Sequence, residues 1–270
     1  MQNPLITSLS NPLIKRARSL RQKKARAESG LFLVEGIHHV GEAVDAGWDV
    51  ESVFYAPDLL TSKFAKELIS CLTAKANPVS AQVMESLADK ENPQGIIAVV
   101  HQKETELKDL MHSSPPRMAA VAKKIEHAVA LVSPQDPGNV GTVLRTMDAV
   151  GADALFILEG AVELYHPSVV RSSMGTIFWK PVIQTSFDEF IQWSRDGNYQ
   201  LIGTSARGDV DYQTLVPQIP WVLVLGNEQK GLSPEQTKAC DVIVSLPMQG
   251  RVSSLNLAVA AGVLLYALKK

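Results

Sequence analysis

"AVALVSPQDPGNVGTVLRTMDAVGADALFIL", residues 128–158, decides how the chain is built. A short apolar run (128–132) ends in a loop rich in proline and glycine, a helical stretch follows, and a second apolar run (154–158) closes the unit. Neither run alternates polar with apolar residues, which is the pattern of parallel strands covered on both faces and joined by a crossover helix. "YQLIGTSA" (199–206), "WVLVLGNE" (221–228) and "VIVSLP" (242–247) repeat the theme, each ending in polar or glycine-containing residues. Residues 128–270 are therefore expected to form an α/β domain with a parallel sheet and ligand-facing loops at the carboxyl ends of its strands. The closing stretch "SSLNLAVAAGVLLYALKK" (253–270) reads as a helix packed on more than one side, with Ser253 or Ser254 as its cap and Asn256 inside it.

Upstream, "GLFLVEG" (30–36), "VESVFYA" (50–56) and "GIIAVV" (95–100) are strand-like and are separated by helical stretches at 62–76 and 81–88. This alternation predicts a small α/β domain. Residues 101–127 are polar and include "SSPP" at 113–116, so a linker is placed there. The expected domains are 1–105, a linker at 106–127, and 128–270.

The first 27 residues hold seven of the 26 Lys/Arg and none of the 28 Asp/Glu, so the rest of the chain carries a net −9. Lys15, Arg16, Arg18, Arg21, Lys23, Lys24 and Arg26 fall on one expected helix, with Leu13, Ile14, Ala17 and Leu20 for its buried side and Ser10 or Asn11 as cap before Pro12. A basic arm on an acidic body points to a polyanionic partner.

With 46% apolar, 20% charged and 6% aromatic residues, the composition is that of a globular protein and excludes disordered or fibrous classes. Cys71 and Cys240 are far apart, which argues against a disulfide framework or a zinc site and for a reduced, cytoplasmic setting. The longest apolar stretch, 255–268, is shorter than the roughly 18–20 residues that cross a bilayer, and no secretory signal is read at the N-terminus. The six histidines suggest no metal site.

Three strand-end loops are candidates for chemistry. In "SPQDPGNVGTVLRT" (133–146), Asn139 and Arg145 are six residues apart on the first turns of a helix and are read as facing the sheet edge, although Pro137, Gly138 and Gly141 also suit a plain turn with Asn139 as cap. In "VLVLGNEQKGLS" (222–233), Gly226 follows directly on a strand, where a ligand can approach the backbone closely. Neither a phosphate loop nor the G-x-G-x-x-G dinucleotide fingerprint is present. In "SLPMQGRVSSLNLAVAAG" (245–262), Asn256 needs hydrogen-bond partners amid apolar neighbours.

Taken together, N-x5-R-T, G-N-E-x2-G-L-S and L-P-M-x-G-x3-S-L-N over 139–256 closely resemble the three motifs of the SpoU (TrmH-type) RNA 2′-O-ribose methyltransferases of the SPOUT superfamily. "VRSSMG" (170–175) matches a further family segment, and Met147, where relatives usually have alanine, departs from it. "SNPLIK" and "FLVEG" resemble the L30e-like substrate-binding domain of the ribosomal RNA members.

The resemblance implies a deep trefoil knot that binds S-adenosyl-L-methionine. Gly226, Leu246 and Leu255 would line the methyl-donor pocket, with Thr204, Ser205 and Met248 beside them. It makes Asn139, Arg145, Glu228, Ser254 and Asn256 the catalytic group, and it gives the basic arm an RNA partner. A guanidinium does not deprotonate in a protein, so Arg145 is read as holding an RNA phosphate and stabilising the developing alkoxide. The proton acceptor is left open between phosphate, water and Glu228. The expected activity is that of an RNA (ribose-2′-O-)-methyltransferase acting on ribosomal RNA in rRNA processing, as a homodimer through the C-terminal domain, without metal or membrane. Transfer RNA as substrate, or a non-catalytic RNA-binding or assembly protein of the same fold, are the rival readings.

Overall fold

Asn11 caps the first helix by accepting from the Leu13 amide at 2.9 Å, and Pro12, which has no amide hydrogen to satisfy, takes the first turn. That helix, α1 (Pro12–Ser19), is the first element of a computed structural model that describes residues 3–89, 93–111, 125–160, 162–206 and 208–269. The basic stretch is not one helix. It breaks after Leu20 and resumes as α2 (Lys23–Ser29), because the Arg26 guanidinium folds back to donate from Nη1 to the carbonyls of Leu20 and Arg21, each at 2.7 Å. Arg26 thereby satisfies carbonyls that a helix end leaves without intrahelical partners. Ile14, Ala17 and Leu20 are buried as expected, whereas Leu13 is exposed.

The chain continues through β1 (Leu31–Glu35), α3 (Ile37–Asp45), β2 (Val50–Tyr55), α4 (Lys63–Cys71), β3 (Ala76–Pro78), α5 (Ala81–Leu87) and β4 (Ile96–His101). The four strands form one sheet in the order β1-β4-β2-β3, with β4 antiparallel to β1 and β2, and β3 parallel to β2. Its core joins Ile14 and Leu20 to Phe54, Val83, Met84, Leu87 and Ile97. The α3 helix and the three-residue β3 have no counterpart in the sequence reading.

Next come α6 (Leu107–Met111), β5 (His127–Val132), α7 (Pro137–Val150), β6 (Ala154–Leu158) and α8 (Pro167–Ser172). The chain then runs through β7 (Val182–Thr185), α9 (Phe187–Asp196), β8 (Gln200–Thr204), β9 (Val210–Asp211), β10 (Trp221–Leu225), α10 (Pro234–Ala239), β11 (Val242–Ser245) and α11 (Leu257–Leu268). Of the expected linker at 106–127, α6 is described, and residues 112–124 lie outside the described residues.

Two units result, Met1–Lys103 with Leu164–Trp179, and Glu104–Glu163 with Lys180–Lys270. The segment Leu164–Trp179 thus belongs with the smaller unit although it lies far along the sequence. His39 Nε2 meets the Arg171 carbonyl at 3.2 Å, Trp48 Nε1 donates to the Phe178 carbonyl at 2.8 Å, and the Lys103 amide donates to the Tyr165 hydroxyl at 3.0 Å. His166 caps α8 by accepting from the Ser168 amide.

In the larger unit seven strands form one parallel sheet in the order β7-β6-β5-β10-β8-β11-β9. All residues of β5, β6 and β10 are buried, as their unbroken apolar character requires. The short β7 and β9 were not foreseen. Asp136 caps α7 by accepting from the Gly138 amide at 2.7 Å, and Gly151 ends it in the left-handed conformation. Asn139 is therefore inside α7 and is not its cap.

A second correction concerns α11. Its cap is Asn256 itself, whose Oδ1 accepts from the amides of Ala258 and Val259. Ser253 and Ser254 precede the helix. The helix lies beside α7 and runs the same way: Asn256 meets Asn139 at one end, and at the other Lys269 Nζ donates to the carbonyls of Val150 and Gly151. It is not covered on every side, because Val259, Val263 and Tyr266 are exposed.

Candidate active site

Four neighbouring parallel strands, β5, β10, β8 and β11, deliver their carboxyl ends to one edge of the sheet. The loops at 133–136, 226–231 and 246–256, and residues 205–206, leave from that edge. The β10 loop is closed by Asn227: its Oδ1 accepts from the amides of Gln229 and Lys230, and its backbone exchanges two hydrogen bonds with Gly231. Its Nδ2 donates to the Ser133 carbonyl at 2.8 Å, which ties the β10 loop to the β5 loop. A Cβ on Gly226 would sit 2.2 Å from the Gly231 carbonyl carbon, so the loop folding back on itself already requires glycine at this position.

The three motifs meet in one hydrogen-bonded chain. Asn256 Nδ2 donates to Asn139 Oδ1 at 2.9 Å, and Asn139 Nδ2 donates to Glu228 Oε1 at 3.3 Å. The Glu228 carboxylate also accepts from the amides of Gln135 (3.1 and 3.2 Å) and Asp136 (3.3 Å). The orientation of each amide follows from its partners. Two backbone donors occupy Asn256 Oδ1, so its nitrogen must point to Asn139, whose own nitrogen is then left for the carboxylate. Asn139 is buried, Glu228 is half-buried, and Asn256 is exposed at the helix end.

Arg145 and Ser254 stand outside this chain. Both are exposed, and Arg145 has no ion-pair partner among the described residues. Six residues at about 100° each take Arg145 well around α7 from Asn139, so Asn139 is buried while Arg145 is exposed. The residues that sequence reasoning missed are Asp136, Asn227 and the amide of Gln135. All lie within the quoted motifs, but turn-forming Asx contacts are visible only once the loops are closed.

Residues 126–266 match the SpoU rRNA methylase family. The chain belongs to that family. Residues 11–98 match the MRM3-like substrate-binding domain. The 23S rRNA (uridine(2479)-2′-O)-methyltransferase of Streptomyces viridochromogenes is 33% identical over 92% of this chain and 85% of that protein. The 23S rRNA (guanosine(2553)-2′-O)-methyltransferase RlmP of Bacillus subtilis is 29% identical over 98% of each. An AdoMet-bound rRNA methyltransferase from Sinorhizobium meliloti superposes with a TM-score of 0.85 at 32% identity, covering 99% of this chain and 97% of that one.

Among the residues that the SpoU resemblance assigns to the methyl donor, Thr204 is half-buried at the end of β8 and donates from Oγ1 to the Val224 carbonyl at 3.2 Å. The Ser205 amide donates to the Val244 carbonyl at 3.0 Å. Leu246 and Met248 are half-buried and Leu255 is exposed, all on the segment between β11 and α11. These residues and Gly226 lie at or after the carboxyl ends of three adjacent strands, β10, β8 and β11.

In the basic arm, Lys15, Arg16, Arg21, Lys23 and Lys24 are exposed and Arg18 is half-buried. Arg16 pairs with Glu51 at 2.9 Å, and Lys24 lies 3.8 Å from Glu28. Arg26, only 2% exposed, is held by helix-end carbonyls and is withdrawn from the set of phosphate contacts. Among the described residues no cluster of side chains suits a metal ion, and no helix is long and apolar enough to cross a membrane.

Proposed function

We propose that this chain transfers a methyl group from S-adenosyl-L-methionine to a ribose 2′-hydroxyl of ribosomal RNA. The observation that carries the reading is the Asn256–Asn139–Glu228 chain, which fixes three strand-end loops around one sheet edge. The names of the relatives and the substrate-binding domain at 11–98 favour ribosomal over transfer RNA.

When bound, the methyl donor supplies an electrophilic methyl on a sulfonium sulfur. That methyl would pass to the ribose 2′-oxygen, the carbon–sulfur electron pair staying with sulfur, and the residues of this chain would position the hydroxyl and the acceptor of its proton. Arg145, cationic and without an ion-pair partner among the described residues, holds the adjacent phosphate and stabilises the forming alkoxide. The Glu228 oxygens are already engaged by three donor groups, which supports a positioning role and leaves phosphate or water to take the proton. Ser254, exposed beside the α11 cap, is placed to touch RNA.

The trefoil knot belongs to the same reading. Its support is that the segment after β11 returns past the ends of β8 and β10 to lay α11 beside α7. The homodimer is supported by the apolar face Val259, Val263 and Tyr266, spaced i, i+4, i+7 and exposed on α11, with Val252 and Leu255 nearby. The exposed cations of α1 and α2 bind RNA phosphates in a salt-dependent way, in a cytoplasmic setting.

The deciding experiment is transfer of labelled methyl from S-adenosyl-L-methionine to separate ribosomal and transfer RNA pools, with the product nucleoside identified by mass spectrometry. A 2′-O-methylated nucleoside in ribosomal RNA, lost in Arg145→Ala, is expected. Label in transfer RNA alone would replace the substrate. No transfer to RNA or to ribosomal particles by a folded chain would leave an RNA-binding protein of this fold. Light scattering at the mass of one chain would remove the dimer.

A further inference from the structure

A cleft of about 230 Å³ lies wholly within the smaller unit, where the ends of β1, β4 and α5 meet the α1–α2 turn and α8. Its apolar lining includes Leu33 and Ile97. Two acids and two arginines border it, and their pairing is uneven. Asp89 is neutralised by Arg171, with Nη1 to Oδ2 at 2.8 Å. Glu35 accepts from the Asp89 amide on Oε2 at 2.8 Å, while its Oε1 is buried and has no hydrogen-bond partner among the described residues. Arg21 is exposed, without an ion-pair partner among the described residues.

A buried carboxylate oxygen without a donor is costly and rare, so this one calls for a reason. A ligand that satisfies the cleft donates N–H groups to Glu35 and brings an anion to Arg21. An unpaired nucleotide does both. Among the bases, guanine alone places two donors, N1–H and N2–H, side by side to face both oxygens of a carboxylate. Cytosine and adenine set an acceptor nitrogen beside their amino group, and uracil flanks N3–H with two carbonyl oxygens, so each repels one carboxylate oxygen. The volume is below the roughly 300–1,000 Å³ of sites for drug-sized ligands and suits a single planar base on an apolar floor.

We infer that this cleft receives an unpaired guanine of the RNA substrate, with Glu35 reading its Watson–Crick edge and Arg21 holding its phosphate. The inference rests on the RNA reading above and adds a base-specific contact to it.

The test uses the full chain and labelled single-stranded RNA hexamers that differ only in two central positions: guanosine, inosine (which lacks the N2 amino group), adenosine or uridine. Fluorescence anisotropy is expected to show guanosine bound about tenfold more tightly than inosine or uridine, the worth of one hydrogen bond to a charged group. Glu35→Gln abolishes that preference without weakening the uridine hexamer, and Arg21→Ala weakens all four alike. Affinity for S-adenosyl-L-methionine, measured by calorimetry, reports that Glu35→Gln is folded. In the wild-type chain, the methyl resonances of Leu33 and Ile97 shift on adding guanosine 5′-monophosphate and not uridine 5′-monophosphate, a readout that needs no variant. Equal affinities for all hexamers, a preference that survives Glu35→Gln, or unmoved methyl resonances would overturn the cleft inference while methyl transfer to ribosomal RNA still stood. Absence of both hexamer binding and methyl transfer would overturn the RNA reading itself.

Discussion

The two units treat their polar side chains differently. In the larger one, Asn256 and Asn139 are bonded at both ends of their amides, and Glu228 accepts on both oxygens. In the smaller one, Glu35 keeps one oxygen buried and unanswered among the described residues. Under the proposed function, a chain whose members are already partnered serves to hold the loops in register, and the chemistry falls to exposed groups, Arg145 above all. An unsaturated buried group costs about 1–3 kcal/mol, which a donor from outside the chain would relieve.

The largest test of this contrast is Arg145→Ala. It is expected to lower methyl transfer by about 10²–10³-fold, the usual cost of losing a group that stabilises developing charge. Its urea unfolding free energy should stay within about 0.5 kcal/mol of wild type, since the exposed side chain has no hydrogen bond or ion pair among the described residues. A rate within a few-fold of wild type would mean that the exposed group is not where the chemistry resides. Asn139→Ala should behave in the opposite way. It strips a partner from both Asn256 and Glu228 and is expected to destabilise by about 1–3 kcal/mol in urea, with activity falling as the loops loosen. Lost activity at unchanged stability would break the contrast, because Asn139 would then act on substrate and not on its neighbours.

Smaller effects sharpen the comparison within the basic arm. Arg26→Met leaves the Leu20 and Arg21 carbonyls short of a donor and should cost about 1–2 kcal/mol by thermal melting. Lys15→Ala and Lys23→Ala should leave stability unchanged and each reduce the salt dependence of RNA binding by about one counterion. The smallest effect is chemical. Burial pushes the Cys240 thiol up to about 11, so at pH 8 about a thousandth of it is thiolate, rising about tenfold per pH unit. Alkylation followed by mass spectrometry should find exposed Cys71 modified first, and Cys240 should lose its protection when Asn139→Ala loosens the larger unit.

The larger unit was the more legible in sequence because a parallel strand covered on both faces leaves an unbroken apolar run, and its loops carry their chemistry in short contiguous motifs. What escaped was decided by contacts between distant residues. Asn256 looked like an interior position because the apolar run begins at Leu255, yet its amide oxygen accepts from the Ala258 and Val259 amides and starts the helix there. Arg26 was indistinguishable from its six basic neighbours until the turn at Leu20 brought two carbonyls to its guanidinium. The strands β3, β7 and β9 hold three, four and two residues, too few to show a period of two. Nothing local in Leu164–Trp179 announces that it packs with β1 and α3, since the bonds that place it come from His39, Trp48 and Lys103.

That segment bears on how such chains can be recombined. Because residues 164–179 are structurally part of the smaller unit, this unit is not a contiguous cassette, and the chain crosses from one unit to the other three times. A chimera that exchanges Met1–Lys103 alone would join a foreign sheet to a native Leu164–Trp179 segment, whose partners at His39 and Trp48 had been replaced. Exchange that carries both stretches together preserves those bonds. Inheritance of new target preferences in this architecture is therefore expected to proceed by paired change in two separate parts of the sequence.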